Sequence, residues 1–474
     1  MYYIGLDLGT SGLKGLLVSE KGEIVREGSA GYPVCYPKSG WSEQNPEDWY
    51  TAAKKVLKEL SAGVEEEVVG VSIGGQMHGL VLLDENDAVI RPAILWNDGR
   101  CEEQTQYLNT VVGKETLNKY TANVAFAGFT APKILWVKEK EPQNFSKIKK
   151  LMLPKDYLAY RLTGVYSTDY SDASGMLLLD VKNKRWSKEM LELCSVKEEW
   201  LPKLYESYEV TGKVNLLPNA YMTAGAGDNA AAAMGTGTVE EGDCNLSLGT
   251  SGTVFIAGNS FMPSKANALH SFAHATGKWH LMGCILSAAS ANKWWLEEIL
   301  KTTDYDGATK NVTLGEGGVY FLPYLMGERS PHNDVTARGA FLGLCANTTR
   351  EEMCLSVLEG VSFALRDCVE CAREEGLQIT RATVCGGGAK SKLWRRILAN
   401  VLNVEIVSLE TEQGPSYGAA ILAMIGTGRL KDASEAKAFA REKERISPEP
   451  DLVQKYQKKY DTYRKFYPAL KGIL

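Results

Sequence analysis

The chain has 474 residues, of which 44% are apolar and 23% charged. At roughly 100–200 residues per domain this implies about two to four packed domains and excludes a disordered or fibrous protein. Lys and Arg (53) nearly balance Asp and Glu (58), for a formal net charge of −5. No basic run is dense enough to track a phosphate backbone, so nucleic acid is not an expected partner.

The chain opens MYYIGLDLGT. No cationic segment precedes an apolar one, so no secretory leader is expected. No run of about 18 apolar residues occurs, so no membrane span is expected either. The location expected is cytoplasmic. Ten Cys are scattered through the chain, which in such a protein reads as reduced, buried thiols. Cys368 and Cys371 form the one C-x-x-C. They share a face of the helical run 351–375 and read as core packing. Five widely spaced His make a zinc site unexpected.

In chain order, Tyr2–Asp7 and Lys14–Ser19 read as apolar strands, with a turn at Glu20–Gly22 and a further strand over Glu23–Glu27. Apolar spacing predicts a helix over Trp49–Ala62. Val68–Ile73 and Gly79–Leu83 are strands, and 102–209 alternates helical patterns with loops. A strand from Tyr221 runs into Gly225–Asp228, followed by the Ala-rich helix Asn229–Met234. A domain boundary is expected near Gly242, giving domains 1–242 and 243–474. The second half restarts the pattern, with strands Asn245–Leu248 and Thr253–Ala257 around the turn Gly249–Gly252. A strand Ala382–Cys385 and a helix Leu393–Leu402 follow, and Ala433–Arg445 reads as a charged, solvated helix.

Leu-Gly-Thr-Ser-Gly occurs twice, at 8–12 and 248–252, each time between two apolar runs. The coincidence suggests two domains of one ancestral fold, each opening on a β-hairpin. Gly-rich turns let backbone N–H groups approach an anion, and Ser and Thr hydroxyls add donors. Thr10, Ser11, Thr250 and Ser251 are therefore candidate phosphate contacts, although G-T-S-G is also ordinary turn composition. Asp7 ends the first strand just before its loop. A carboxylate there would repel phosphates unless a cation intervened, and Mg²⁺, which binds through one or two carboxylates plus phosphate oxygens, is the natural one. The bland reading of Asp7 is an Asx-turn. A third cluster, Gly386–Ala389, lies between a strand and a helix start, as a backbone-lined nucleotide site requires. No G-x-x-x-x-G-K-[ST] occurs. Gly225–Ala230 fits G-x-G-x-x-A, but Asp228 would point a negative charge into a pyrophosphate site, which speaks against a dinucleotide.

Asp228 fits better as chemistry. It stands at a strand end among small residues that leave room for a substrate, with helix N-cap as its structural alternative. Phosphoryl transfer to an alcohol needs a base for the hydroxyl proton, and Asp can serve. A metal-side carboxylate, two phosphate loops, a nucleotide loop and a base each occur in this sequence.

These residues resemble the FGGY carbohydrate kinases, within the hexokinase–actin–chaperone superfamily. The resemblance spans essentially the whole chain. It is carried by Leu6–Gly12, Trp41–Gln44, Gly75–Gly79, Leu95–Arg100, Gly128–Trp136, Leu153–Tyr157, Gly227–Ala230, Ser247–Gly252, Leu322–Arg329 and Gly386–Ala389. The stretch from Gly339 to Glu359 looks like the family's C-terminal signature. The resemblance implies an α/β protein of two ribonuclease-H-like (actin/hexokinase-type) domains flanking a deep cleft. Sugar binds mainly to 1–242 and ATP mainly to 243–474. It implies Asp228 as catalytic base and Asp7 as second catalytic carboxylate, near Mg²⁺. Met77, His78, Asp228 and Asn229 fall at the sugar, and Thr250, Gly387, Gly388 and Ala389 at the nucleotide. The Met77–His78 pair favours the members acting on D-xylulose, so the implied reaction is ATP-dependent formation of D-xylulose 5-phosphate. His78 could donate to a sugar hydroxyl or carbonyl and Met77 could pack on the carbon chain. Trp96, Asn97 and Asp98 either line the same pocket or are core and turn. Glu328 and Arg329 are given no role, and Lys392 stays open because some members carry Asn there. Members are often homodimers, although the sequence carries no interface signature. The rival readings are a kinase for ribulose, L-xylulose or glycerol, an actin- or chaperone-type ATPase, and a nicotinamide dehydrogenase.

Overall fold

The computed structural model describes residues 1–264, 267–411 and 414–473. The chain divides into two units. The first comprises Met1–Val239, Ser271–His280 and Gln413–Phe439, and the second the remainder. Each is built on a mixed β-sheet, an α/β architecture.

In the first unit the strands are β1 (Tyr2–Leu8), β2 (Gly12–Ser19), β3 (Ile24–Gly31), β4 (Val68–Gly75), β5 (Val210–Lys213), β6 (Tyr221–Thr223) and β7 (Ala226–Gly227). The sheet order is β5–β6–β4–β1–β2–β3, with β7 also on β4. β1 and β2 form the expected hairpin, and β4 runs parallel to β1 on its other side. β1 is buried nearly throughout, as an internal strand requires, whereas β3 at the edge alternates half-buried with exposed residues. The helix Pro46–Ser61 starts at Asn45, whose side chain caps the Glu47 N–H, and buries Trp49, Ala53, Val56, Leu57 and Leu60.

The late helix Gly414–Gly426 joins this unit. A Cβ on Gly5 would lie 1.9 Å from the Ser416 carbonyl oxygen, so only glycine lets β1 and the helix meet. The helix is buried on nearly every side, which is why its sequence is apolar all round.

The second unit repeats the pattern with β8 (Cys244–Leu248), β9 (Gly252–Gly258), β10 (Arg381–Cys385), β11 (Glu405–Leu409) and β12 (Glu442–Ile446). The order is β9–β8–β10–β11–β12, with a β8–β9 hairpin and β10 parallel to β8. The long helix Arg350–Glu374 opens on a capping box between Thr349 and Glu352 and supplies much of the core. Cys368 lies in that core and Cys371 at its margin, both as free thiols.

The segment 433–445 departs from the expected helix: a 3₁₀ turn over Ala433–Phe439 gives way to β12. Its charges pair with residues of neighbouring strands and of the helix Lys392–Leu402 instead of forming a solvated helix face. Arg445 reaches Glu405 at 3.2 Å, and Arg381 and Arg395 reach Glu442 and Glu444 at 2.5 and 2.8 Å. Charge is tolerated on an edge strand, where it also discourages pairing with another chain. No helix among the described residues is long and apolar enough to cross a membrane.

Candidate active site

In the first unit the functional residues gather where β1, β4 and β7 end. Asp7 stands one residue before the end of β1, opposite Gly74 of β4 and Lys14 of β2. Burial and the Asp228 carboxylate push its pKa up to about 7, against the pull of Lys14. Asp228 is the first residue of the helix Asp228–Gly235, directly after β7. Burial raises its pKa to about 6, and two bonds from Asn229 limit the rise: the backbone N–H at 2.8 Å and Nδ2 at 2.9 Å. A carboxylate at that value is ionised near neutral pH yet basic enough to take a hydroxyl proton in a transition state.

Met77 is buried and crosses the backbone before Asp228, so that a Cβ on Gly227 would lie 2.9 Å from its sulfur. His78 adopts a left-handed backbone (φ 69°). Its ring stacks on Phe129 at 4.6 Å, and Nδ1 lies 2.8 Å from the Gly175 carbonyl. A carbonyl only accepts, so Nδ1 carries a hydrogen and donates it to Gly175. The His78 carbonyl is held by Thr130 Oγ1 (3.1 Å) and by buried Lys133 Nζ (2.8 Å).

The first loop is tightly braced. Thr10 Oγ1 donates to Gln76 Oε1 at 3.2 Å and accepts from Trp96 Nε1 at 2.9 Å, while its carbonyl accepts from Gln44 Nε2 at 2.7 Å. Ser11 is exposed at the turn. Trp96 remains 41% exposed although its indole N–H is bonded, so its face is open to a ligand. Asp98 instead faces inward. It accepts from the Ser42 N–H at 2.6 Å and pairs with Arg100 at 2.7 Å, a structural role. Asn97 is exposed.

In the second unit a cavity of about 770 Å³ opens beside the duplicated loop. Gly249 and Thr250 line one side and Gly387, Gly388, Lys390 and Ser391 another. The Thr250 carbonyl accepts from Ala288 N (3.0 Å) and Ser290 Oγ (2.6 Å), which braces the loop. Gly386 (φ 88°) turns the chain out of β10. A Cβ on Gly388 would lie 2.8 Å from the Trp394 ring, whereas a Cβ on Gly387 would meet nothing within 4 Å. Ser391 caps the helix Lys392–Leu402 through the Trp394 N–H. Ser251 is half-buried, does not line the cavity, and Ala389 packs into the core. Lys392 pairs with Glu444 at 3.2 Å. Glu328 is buried and capped by the N–H groups of Leu286 (2.9 Å) and Arg329 (2.8 Å). Sequence reasoning missed Ser290, Asn292, Lys293, Tyr305 and Asp306, which line the cavity's remaining wall. They follow no Gly-rich turn, and only folding of the chain after β9 brings them there.

The N-terminal domain model of the FGGY family of carbohydrate kinases matches residues 2–235, and its C-terminal domain model matches 244–427. The chain belongs to this family. It is a carbohydrate kinase, a transferase. The kinase is 40% identical to the xylulose kinase of Escherichia coli (strain K12), over 100% of both chains. It is 37% identical to the xylulose kinase of Bacillus subtilis (strain 168), over 100% of this chain and 98% of the relative. Its fold matches the crystal structure of a xyloylose kinase from Brucella ovis with a TM-score of 0.96 at 39% identity, covering 100% of each chain. The two-domain fold expected from the resemblance is that of this kinase family.

Proposed function

We propose that this kinase transfers the γ-phosphoryl group of ATP to the terminal hydroxyl of D-xylulose, giving D-xylulose 5-phosphate and ADP. The single observation that carries the substrate is full-length identity to xylulose kinases, 40% over both chains in the Escherichia coli case. The chemistry rests on Asp228. Its carboxylate takes the hydroxyl proton as the hydroxyl oxygen attacks the γ-phosphorus in line with the departing ADP oxygen. Asn229 keeps that carboxylate oriented and ionised through its two bonds. Met77, packed against Gly227 just before Asp228, and His78, next along the chain, are taken as the contacts for the sugar chain and a hydroxyl. Thr250, Gly387 and Gly388 line the cavity taken here as the nucleotide site. Its exposed backbone suits phosphate oxygens.

Mg²⁺ fits the Asp7 position. Asp7 is a partly buried carboxylate whose charged neighbours are a second carboxylate and Lys14, and a further cation would lower its pKa from about 7 and favour the ionised form. No group of three or more metal-ligating side chains occurs among the described residues. The protein would hold the ion through Asp7, with phosphate oxygens and water completing the shell, as Mg²⁺ prefers. When bound, it offsets charge on the β- and γ-phosphates.

The test is ADP formation from Mg-ATP with D-xylulose, D-ribulose, L-ribulose, L-xylulose and glycerol in parallel. Strong stimulation by D-xylulose alone supports the reading. Preference for another acceptor would keep the family and remove the substrate assignment.

A further inference from the structure

Beneath the strand-to-helix turn that carries Asp228 lies a fully buried polar cluster that the reaction scheme does not use. Lys155 and Asp156 open the helix Pro154–Thr163, Asp169 ends the strand Ser167–Asp169, and Asp172 follows it. Lys155 Nζ is 2.7 Å from Asp156, 3.0 Å from Asp169 and 3.8 Å from Asp172, and all four side chains are at most 1% exposed. One cation among three carboxylates is a costly arrangement in a protein interior. A well-packed apolar cluster would serve stability alone as well or better, which points to a positional role.

Asp156 is tied within its own helix start by the Leu153 N–H at 3.3 Å, but the bonds of Asp169 and Lys155 reach the turn before Asp228. Asp169 Oδ2 accepts from Ser171 N (2.8 Å), Ser171 Oγ (2.5 Å) and Ser207 Oγ (2.7 Å). Ser171 Oγ in turn accepts from the N–H of Gly227, the residue before Asp228, at 3.2 Å. The Ser207 carbonyl accepts from the N–H of Gly225 at 3.0 Å. Lys155 Nζ donates to the carbonyl of Ala224 at 3.2 Å. Three backbone points of the turn 224–227 are thus tied to the Lys155–Asp169 pair. One glycine agrees independently: a Cβ on Gly75 would lie 2.7 Å from Lys155 Cβ, so Gly75 leaves room for the lysine stem.

We propose that Asp169, held by Lys155, is a positioning residue for phosphoryl transfer: through Ser171 and Ser207 it fixes the turn 224–227 and so aims the Asp228 carboxylate at the sugar hydroxyl. This rests on the reading of Asp228 as the base. A base displaced by about 1 Å loses on the order of 10²-fold in rate without losing substrate binding to the same extent. The expected signature is therefore a split between kcat and KM.

The test uses the full-length kinase with Mg-ATP and D-xylulose, rates being referred to active sites counted by nucleotide binding. Ser171→Ala removes a single oxygen and leaves every charge in place. It is expected to lower kcat about tenfold with the sugar KM within about threefold. Asp169→Asn is expected to lower kcat at least as much. The Asp169→Asn/Ser171→Ala double variant is expected to be no slower than Asp169→Asn, because the relay is already cut. A merely structural role would change the number of active sites and the melting temperature but not kcat per site. If Asp169→Asn does not fold, Ser171→Ala decides. Folded Ser171→Ala with kcat within about twofold of wild type overturns the proposal. Asp228→Asn run in parallel separates the two claims. Turnover retained there removes the base and the relay together, whereas turnover lost there with Ser171→Ala at the wild-type rate removes the relay alone.

Discussion

The Asp228 carboxylate raises the proton affinity of Asp7. Together with burial it holds Asp7 at about 7, while Asn229's two donors keep Asp228 at about 6. Of the two carboxylates, the one with donors has the lower value, and the one facing only Lys14 and its rival the higher. This asymmetry matches the division of labour proposed for them.

The pH dependence follows directly. A base must be deprotonated, so kcat/KM is expected to fall as pH drops through about 6, the Asp228 value. A pH–rate profile with D-xylulose checks it, and an acidic limb near 4 would show an unperturbed carboxylate instead.

Stability should move the other way. Asp7 binds its proton more tightly folded than unfolded, so folding loses free energy as pH rises from about 4 toward about 7. Asp7→Asn removes that penalty. Without Mg²⁺ at pH 8 it is expected to melt several degrees above the wild type while turnover falls by at least about 10²-fold. Calorimetry beside the coupled assay reads both, and a lower melting temperature would contradict the buried-charge argument.

The two glycines of the nucleotide loop should part company. A side chain at Gly387 meets no protein atom within 4 Å, whereas one at Gly388 runs into Trp394 and Leu248. Gly387→Ala is expected to fold normally and raise the ATP KM about tenfold, with the sugar KM unchanged. Gly388→Ala is expected to lower the melting temperature. Equal ATP KM in Gly387→Ala and wild type would place the phosphates elsewhere.

His78 can be tested without disturbing its backbone, because Asn also tolerates a positive φ. His78→Asn is expected to raise the sugar KM about tenfold or more and leave the ATP KM alone. Gly175→Ala, whose Cβ would lie 2.4 Å from the His78 ring, should raise the sugar KM through the same ring.

Much of this was legible in the chain because it is local. The hairpins around Gly9–Ser11 and Gly249–Ser251, the helix start after Gly227 and the glycine turn before Ser391 are each written in consecutive residues. What could not be read is what distant segments bring. The helix Gly414–Gly426 joins the first sheet through Gly5, and its uniformly apolar sequence does not say what it packs on. Thr10 reads as a phosphate donor until Gln76 and Trp96 arrive at its hydroxyl. Nothing in the sequence pairs Lys155 with Asp169, and only folding buries them side by side. The charges of 442–446 look equally at home on a helix or an edge strand, and only the partner β11 decides.

Asp228 as the base in phosphoryl transfer to D-xylulose has a direct test. The most direct measurement pairs phosphorus NMR of the product with sugar binding by calorimetry, for wild type and Asp228→Asn. The wild type should convert D-xylulose and Mg-ATP to D-xylulose 5-phosphate and ADP. Asp228→Asn should lose at least about 10³-fold in turnover while its sugar Kd stays within about threefold. Near-normal turnover by Asp228→Asn, or no phosphorylated D-xylulose from the wild type, would contradict the account.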